Sequence, residues 1–442
     1  MKSVRTKFVV LTLAALAASG CGIFKKGTPK TPVLGERVAV LEAEIDAAVD
    51  PATAALPFSL AEPTVNTEWA QAGGNSSKSM PHLALGQSLG EAWSVSIGKG
   101  GDLKVRLAAA PVVGDGKVFT IDTQSTVRAF DAQTGGSAWS TQFGTERGNN
   151  TSLFGGGIAY DNGRIYASNG LGYVTALDAR NGGVIWQVHP TGPLRGSPTV
   201  SGDTLYVISQ DNQIYSLKTS DGSTNWSQAA ALEIAGMFGS ASPAVGQGTV
   251  VAGFSSGELN AYRYENGRLV WQDQLARTSI RTSAASISDV DAHPVIDSGQ
   301  VIAVGQGGRM VSLELISGQR QWELNIAGVS KPWVAGEWVF VMTDDGKLLC
   351  VARANGKVRW ITQLPAFRNE KKKAGPIGYR GPVLAGGRLI LASSQGALIN
   401  IDPATGAVQS QTNIRGSVSL SPVVANQTLY ILDDDGRLHA YR

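Results

Sequence analysis

From residue 110 onward, short apolar runs alternate with polar, glycine-bearing turns, and residues 110–142 set the pattern. Ala110-Pro-Val-Val is an apolar run with a proline at its start, the position in a strand that tolerates one. Gly114-Asp-Gly turns the chain. Lys117–Asp122 predicts a second strand, Gln124-Ser125 a second turn, and Thr126–Asp131 a third strand. Gln133-Thr-Gly-Gly turns again, and Ser137–Phe143 predicts a fourth strand. Four short strands rich in β-branched and aromatic residues, separated by glycine turns, make one antiparallel blade.

The stretch Ala129–Trp139 recurs in Ala176–Trp186, Ser216–Trp226, Ala261–Trp271, Ser312–Trp322, Cys350–Trp360 and Asn400–Ser410. The glycine is kept in all seven copies; the tryptophan is kept in six and is Ser410 in the last. Successive tryptophans from Trp139 to Trp360 are 47, 40, 45, 51 and 38 residues apart, a period that fits a propeller blade. The glycine suits a turn that needs positive φ, and the tryptophan offers a large face for packing between blades. First strands open at Pro111, Pro198, Pro243, Pro294, Pro332, Pro382 and Pro422, and one without proline opens near Gly157, giving eight blades. The last copy stops after three strands at Arg442. Gly90–Gly98, with Trp93 in the usual place, supplies the missing fourth strand from the other end of the chain. The expected fold is all-β, an eight-bladed propeller closed by an N-terminal strand, which protects edges that would otherwise pair with other chains.

The expected domains are a signal segment at 1–20, a tether at 21–66 and the propeller at 67–442. Lys2, Arg5 and Lys7 precede the apolar run Phe8–Ala18, which is too short for an ordinary membrane span, and small residues lead to Cys21. Within the tether, Val38, Leu41, Ile45 and Val49 fall at helical spacing, predicting a short amphipathic helix over 37–49 that docks on the propeller or binds a partner. Pro51, Pro57 and Pro63 follow it, and Trp69 is expected to pack near the first blade. The formal charge of +3 comes from the three basic residues of the signal segment; without them 35 Lys+Arg face 35 Asp+Glu. That balance gives nucleic-acid binding no support. Cys350 lies in an expected third strand and reads as a small buried apolar residue.

No stretch carries catalytic chemistry. Gly253-Phe-Ser-Ser-Gly257 matches a hydrolase string but lies in a blade turn, where the required strand-to-helix elbow is missing. His82, His189, His293 and His439 are scattered, lack metal-ligand spacing, and read as surface or loop residues. Gly305-Gln-Gly-Gly308 and Asp433-Asp-Asp-Gly436 read as blade turns, and the basic insertion Arg368–Pro376 as a solvated loop. Two loops join a fourth strand to a next first strand and so reach one rim near the axis: Thr191–Pro198, carrying Leu194 and Arg195, and Ser286–Pro294, carrying Asp289 and Asp291. Spacing alone supports a salt-bridge network among Arg195, Asp289 and Asp291, or a polar patch for a partner.

The repeat Ala-x-Asp-x-x-Thr-Gly-x-x-x-Trp at Ala129–Trp139 resembles that of pyrroloquinoline-quinone-type propellers. Small residues before Cys21 resemble the bacterial lipobox, with Ala18 in the usual leucine place, and Gly22 after the cysteine suits sorting to the outer membrane. Together with Leu194-Arg195-Gly196 and Ser288-Asp289-Val290-Asp291, the whole chain resembles the BamB family of outer-membrane assembly lipoproteins. Gly192 stands where the family loop has a second leucine. The resemblance implies acylation at Cys21 and an outer-membrane protein facing the periplasm. It also implies a scaffold without cofactor or enzymatic activity. Leu194, Arg195, Asp289 and Asp291 would contact the periplasmic domains of the BamA insertase, and blade edges would guide unfolded outer-membrane protein clients by strand addition. The alternatives are a propeller lipoprotein of another envelope complex and a quinone-dependent dehydrogenase.

Overall fold

The computed structural model describes residues 47–102, 104–146, 149, 155–232, 241–275 and 288–442. The signal segment, Cys21 and residues 37–46 of the expected helix lie outside the described residues, as do residues 276–287, the last two of which open the second rim loop. The described residues belong to one compact unit.

Eight four-stranded antiparallel sheets follow one another along the chain. The first blade is Val112–Gly114, Lys117–Ile121, Thr126–Asp131 and Ser137–Gln142, as the alternation predicted. The eighth combines Val423–Ala425, Thr428–Leu432 and Arg437–Tyr441 with Glu91–Ser96, so the expected closing strand is present. Trp93 pairs with Ala440 and Ser96 with Arg437. The basic insertion forms a small exposed hairpin, Phe367–Asn369 with Ala374–Pro376.

Each tryptophan reaches the next blade. Trp139, Trp186, Trp226, Trp271, Trp322 and Trp360 donate Nε1–H to the carbonyls of Ala179, Thr219, Tyr264, Leu315, Arg353 and Pro403, at 2.7–3.1 Å. The repeat glycine of each blade lies under the preceding blade's ring. A Cβ on Gly135, whose φ is 73°, would come within 2.8 Å of the Trp93 ring. The glycine is therefore demanded twice, by backbone conformation and by the ring above it. The same geometry explains Ser410. Its tryptophan would need a third-to-fourth-strand turn in blade eight, and that blade takes its fourth strand from Glu91–Ser96 instead. At the closing junction Arg442 donates to the carbonyls of Ala132 and Gln133 at 2.7 and 3.1 Å.

His439 ties the closing strand down. Its Nδ1 lies 2.9 Å from Glu91 Oε1 and its Nε2 3.4 Å from Asp433 Oδ2. These hydrogen bonds raise its pKa above the usual 6.5, with Asp433 the larger cause, and Glu91 is lowered by the same contact. A raised folded pKa means the stabilisation is fully present below about pH 6.5 and is lost as pH rises through the folded value. We expect the gain in unfolding midpoint between pH 8.5 and 6 to shrink in His439→Leu; an unchanged pH profile would remove His439 from the closure.

The N-terminal segment departs most from expectation. Ala47–Val49 are not helical: Val49 bridges Val358 in parallel on the outer strand of blade six. Pro51 begins a four-residue helix, Pro51–Ala54, capped by Asp50, which accepts from Thr53 N–H at 2.8 Å; a proline at this position meets no helical hydrogen-bond demand. Phe58 stacks on Trp338 at 5.5 Å. Packing therefore begins well before the boundary expected at residue 66.

Residues 64–86 then cross the axis. The innermost strand of every blade leaves one backbone edge facing the centre, and this segment hydrogen-bonds to seven of them. Trp69 exchanges backbone hydrogen bonds with Val113, Tyr160 N–H donates to Ala70, and the Gln71 amide brackets the backbone of Val200 at 2.8 and 3.0 Å. Val245 and Ile296 donate to Ser76 and Ser77, Leu83 pairs along Leu384–Gly386, and Asn426 N–H donates to Asn66. Trp69 stacks on Trp333 of blade six.

Two histidines are not surface residues. His82 is buried, with Nδ1 2.8 Å from Ala61 O and Nε2 accepting from Gly387 N–H, and His439 is buried as described. Cys350 is fully buried on the third strand of blade six, and burial pushes its thiol pKa up.

Candidate functional site: a rim platform of two loops

The two rim loops meet. Gly192 and Pro193 are exposed, but from Leu194 the chain turns inward. Arg195 N–H donates to Ile208 O at 2.9 Å, Gln210 N–H donates to Pro193 O at 2.8 Å, and Arg195 O accepts from Gly156 N–H at 2.5 Å. The loop is thus laid across blades two and three. Leu194 has 0% exposure and packs in a cluster with Tyr166, Val200 and Leu205. The other loop is anchored by Val290 N–H donating to Phe254 O and Gln306 N–H donating to Asp289 O. Ser288 Oγ donates to Ser255 O at 2.9 Å.

Arg195 bridges them. One Nη lies 2.7 Å from Asp289 Oδ2 and 3.6 Å from Asp291 Oδ1. Arg195 is 4% exposed and Asp289 0%. A buried charge needs such pairing. Burial and the neighbouring Asp289 push the Asp291 carboxyl up to about 7. The three groups form the salt-bridge network that the spacing suggested. Leu194, Arg195 and Asp289 lie beneath the surface. The accessible surface above them is Gly192, Pro193, Gln210 and Asp211.

Sequence reading missed what lies beside this platform. A cavity of ≈ 360 Å³ runs from the rim, at Asp291 and Arg380, down to Trp69 and Gly73 of the crossing segment. Among the described residues no cluster of His, Cys, Asp and Glu is arranged to hold a metal ion. Ser255 is buried in its turn, donating to Asn212 Oδ1 at 2.8 Å.

A sequence profile described as outer membrane protein assembly factor BamB matches residues 123–362 and 367–442. The chain belongs to the BamB family. Relatives include the BamB of Yersinia pestis, 27% identical across 79% of this chain and 88% of that protein, and that of Escherichia coli (strain K12), 26% identical over the same shares. The crystal structure of BamB from Moraxella catarrhalis is similar with a TM-score of 0.67 and 19% identity, covering 80% of this chain and 100% of the other. The quinohemoprotein alcohol dehydrogenase of Comamonas testosteroni has a TM-score of 0.64 at 14% identity, covering 85% and 80%, a likeness of fold alone. Fold and family agree: this is an eight-bladed propeller of the outer membrane protein assembly factors.

Proposed function

We propose that the chain is a lipid-anchored scaffold of the outer-membrane β-barrel assembly machinery, acylated at Cys21, facing the periplasm, and free of catalytic activity. Its partner is the periplasmic part of a BamA-like insertase. The observation that carries the reading is the Arg195–Asp289–Asp291 network, which locks two separate rim loops into one platform in a family named for outer-membrane protein assembly. Leu194, Arg195, Asp289 and Asp291 act from beneath, and the partner meets Gly192, Pro193 and Gln210 above them. Such division is usual: rigid side chains fix the shape while the exposed rim makes contact.

Unfolded clients are proposed to add strands at outer blade edges. Two features support this. Val408–Asn413 of blade seven is exposed at every position, and the outer strand of blade six already accepts Val49 of the chain itself.

The test is direct binding of the purified chain to the insertase's periplasmic domains. Pro193→Asp places a charge at the centre of the platform and is expected to weaken binding by at least about tenfold, or 1.4 kcal/mol, with an unchanged unfolding midpoint. Unchanged binding would move the partner elsewhere. Quinone and calcium added to the same protein are expected to yield no dye reduction; turnover would favour a dehydrogenase.

A further inference from the structure

The floor of the axial cavity is basic in a way the scaffold role leaves unused. Lys78, on the crossing segment, is fully buried and holds a φ of 63°, a left-handed conformation that costs a lysine free energy. Its Nζ donates to Thr199 Oγ1 at 2.9 Å. Lys331, at the start of blade six, donates to the Lys78 carbonyl at 2.9 Å and lies 4.5 Å over the Trp333 ring. Gly73 separates the two stems: a Cβ there would be 3.1 Å from the Cδ atoms of both. His293 completes the group. Its Nδ1 accepts from Ser242 N–H at 2.9 Å, which leaves Nε2 to carry the ring proton in the neutral form.

Among the described residues, no carboxylate forms an ion pair with either lysine. Two ammonium groups packed together without a counter-charge are expensive to desolvate. Burial depresses both lysines to about 7, with mutual repulsion adding to it at Lys78, and burial followed by the two lysines depresses His293 to about 3. At the mouth stand Arg106 and Arg380, with the carboxyls of Asp291 and Asp344, both raised by burial. Gln306 Oε1 is buried on the cavity wall without a hydrogen-bond partner, and so offers an acceptor to a ligand donor. The cavity volume of ≈ 360 Å³ falls at the small-molecule end of binding pockets.

We propose that the axial cavity is a binding site for a small oxyanion, a phosphate or carboxylate group, seated on Lys331 and His293 with Lys78 behind them and reached past Arg106 and Arg380. The anion supplies the counter-charge the floor lacks. The cavity shares Asp291 with the rim network, but its test reads anion binding directly and so does not depend on the scaffold reading.

The experiment is calorimetric titration of the purified chain with inorganic phosphate and with malonate. Saturable binding of one anion per chain is expected. Acidification from pH 8 to 6 protonates Lys78 and Lys331 and neutralises Asp291, and each change favours an anion. Malonate, which stays mostly dianionic over this range, should therefore bind at least about tenfold more tightly at the lower pH, with proton uptake near pH 8; a malonate affinity independent of pH would contradict the site. Tighter phosphate binding assigns the site to phosphate esters, and tighter malonate binding to carboxylates. Lys331→Met is expected to abolish binding. Lys331 also holds the crossing segment, so Arg106→Gln, at an exposed mouth residue, is the second variant and should weaken binding severalfold with an unchanged unfolding midpoint. No saturable binding to the wild type, or full binding in either folded variant, overturns the proposal.

Discussion

Replacing Arg195 by alanine is expected to lower the unfolding free energy by about 3–5 kcal/mol, although the residue sits in a rim loop. Its guanidinium lies 2.7 Å from Asp289 and 3.6 Å from Asp291. Removing the cation leaves Asp289 buried at 0% exposure without that partner. Desolvation of a carboxylate costs more once a counter-charge is removed, whereas removing both charges together is much milder. The double variant Arg195→Met with Asp289→Leu should therefore recover most of the loss. Chemical denaturation reads both. A loss under about 1 kcal/mol in Arg195→Ala is the range of exposed pairs and would contradict the buried network. Charge reversal at Arg195 consequently tests stability and binding together, and only an exposed position such as Pro193 separates them.

The second large effect belongs to the closing strand. Deleting residues 88–98 removes Glu91–Ser96 from blade eight and exposes the edge of Arg437–Tyr441. It also removes Trp93, under which Gly135 of the first blade sits, and the Glu91 partner of His439. An unpaired edge with apolar neighbours recruits other chains. We expect the deletion protein to elute as aggregates and to lose its cooperative transition. A monomer with unchanged near-ultraviolet dichroism would mean that blade eight stands without the strand.

The ring was readable because its determinants are local and repeated. A proline at each of seven first strands, a turn glycine and a fourth-strand tryptophan recur with the blade, and even Ser410 follows from the fourth strand that blade eight takes from Glu91–Ser96. The crossing segment was not readable. Residues 69–79 hold their place largely through backbone hydrogen bonds to inner strands, which leave no periodic mark in Gln71–Ser79. The rim residues were found by spacing and resemblance, but their depth was not. Arg195 and Asp289 are polar and would ordinarily face water; their pairing across 94 residues of sequence helps to make burial tolerable. Lys78 misleads in the same way, since nothing in its neighbours predicts a buried lysine.

The central claim is that this propeller serves the outer-membrane assembly machinery through its rim platform. The most direct test is copurification of the tagged chain, processed in its own host, from outer membranes, with mass spectrometry of its companions. The account predicts recovery of the barrel insertase with the wild type and its loss with Pro193→Asp at unchanged protein level. Recovery of a different envelope complex, with no insertase, would contradict it.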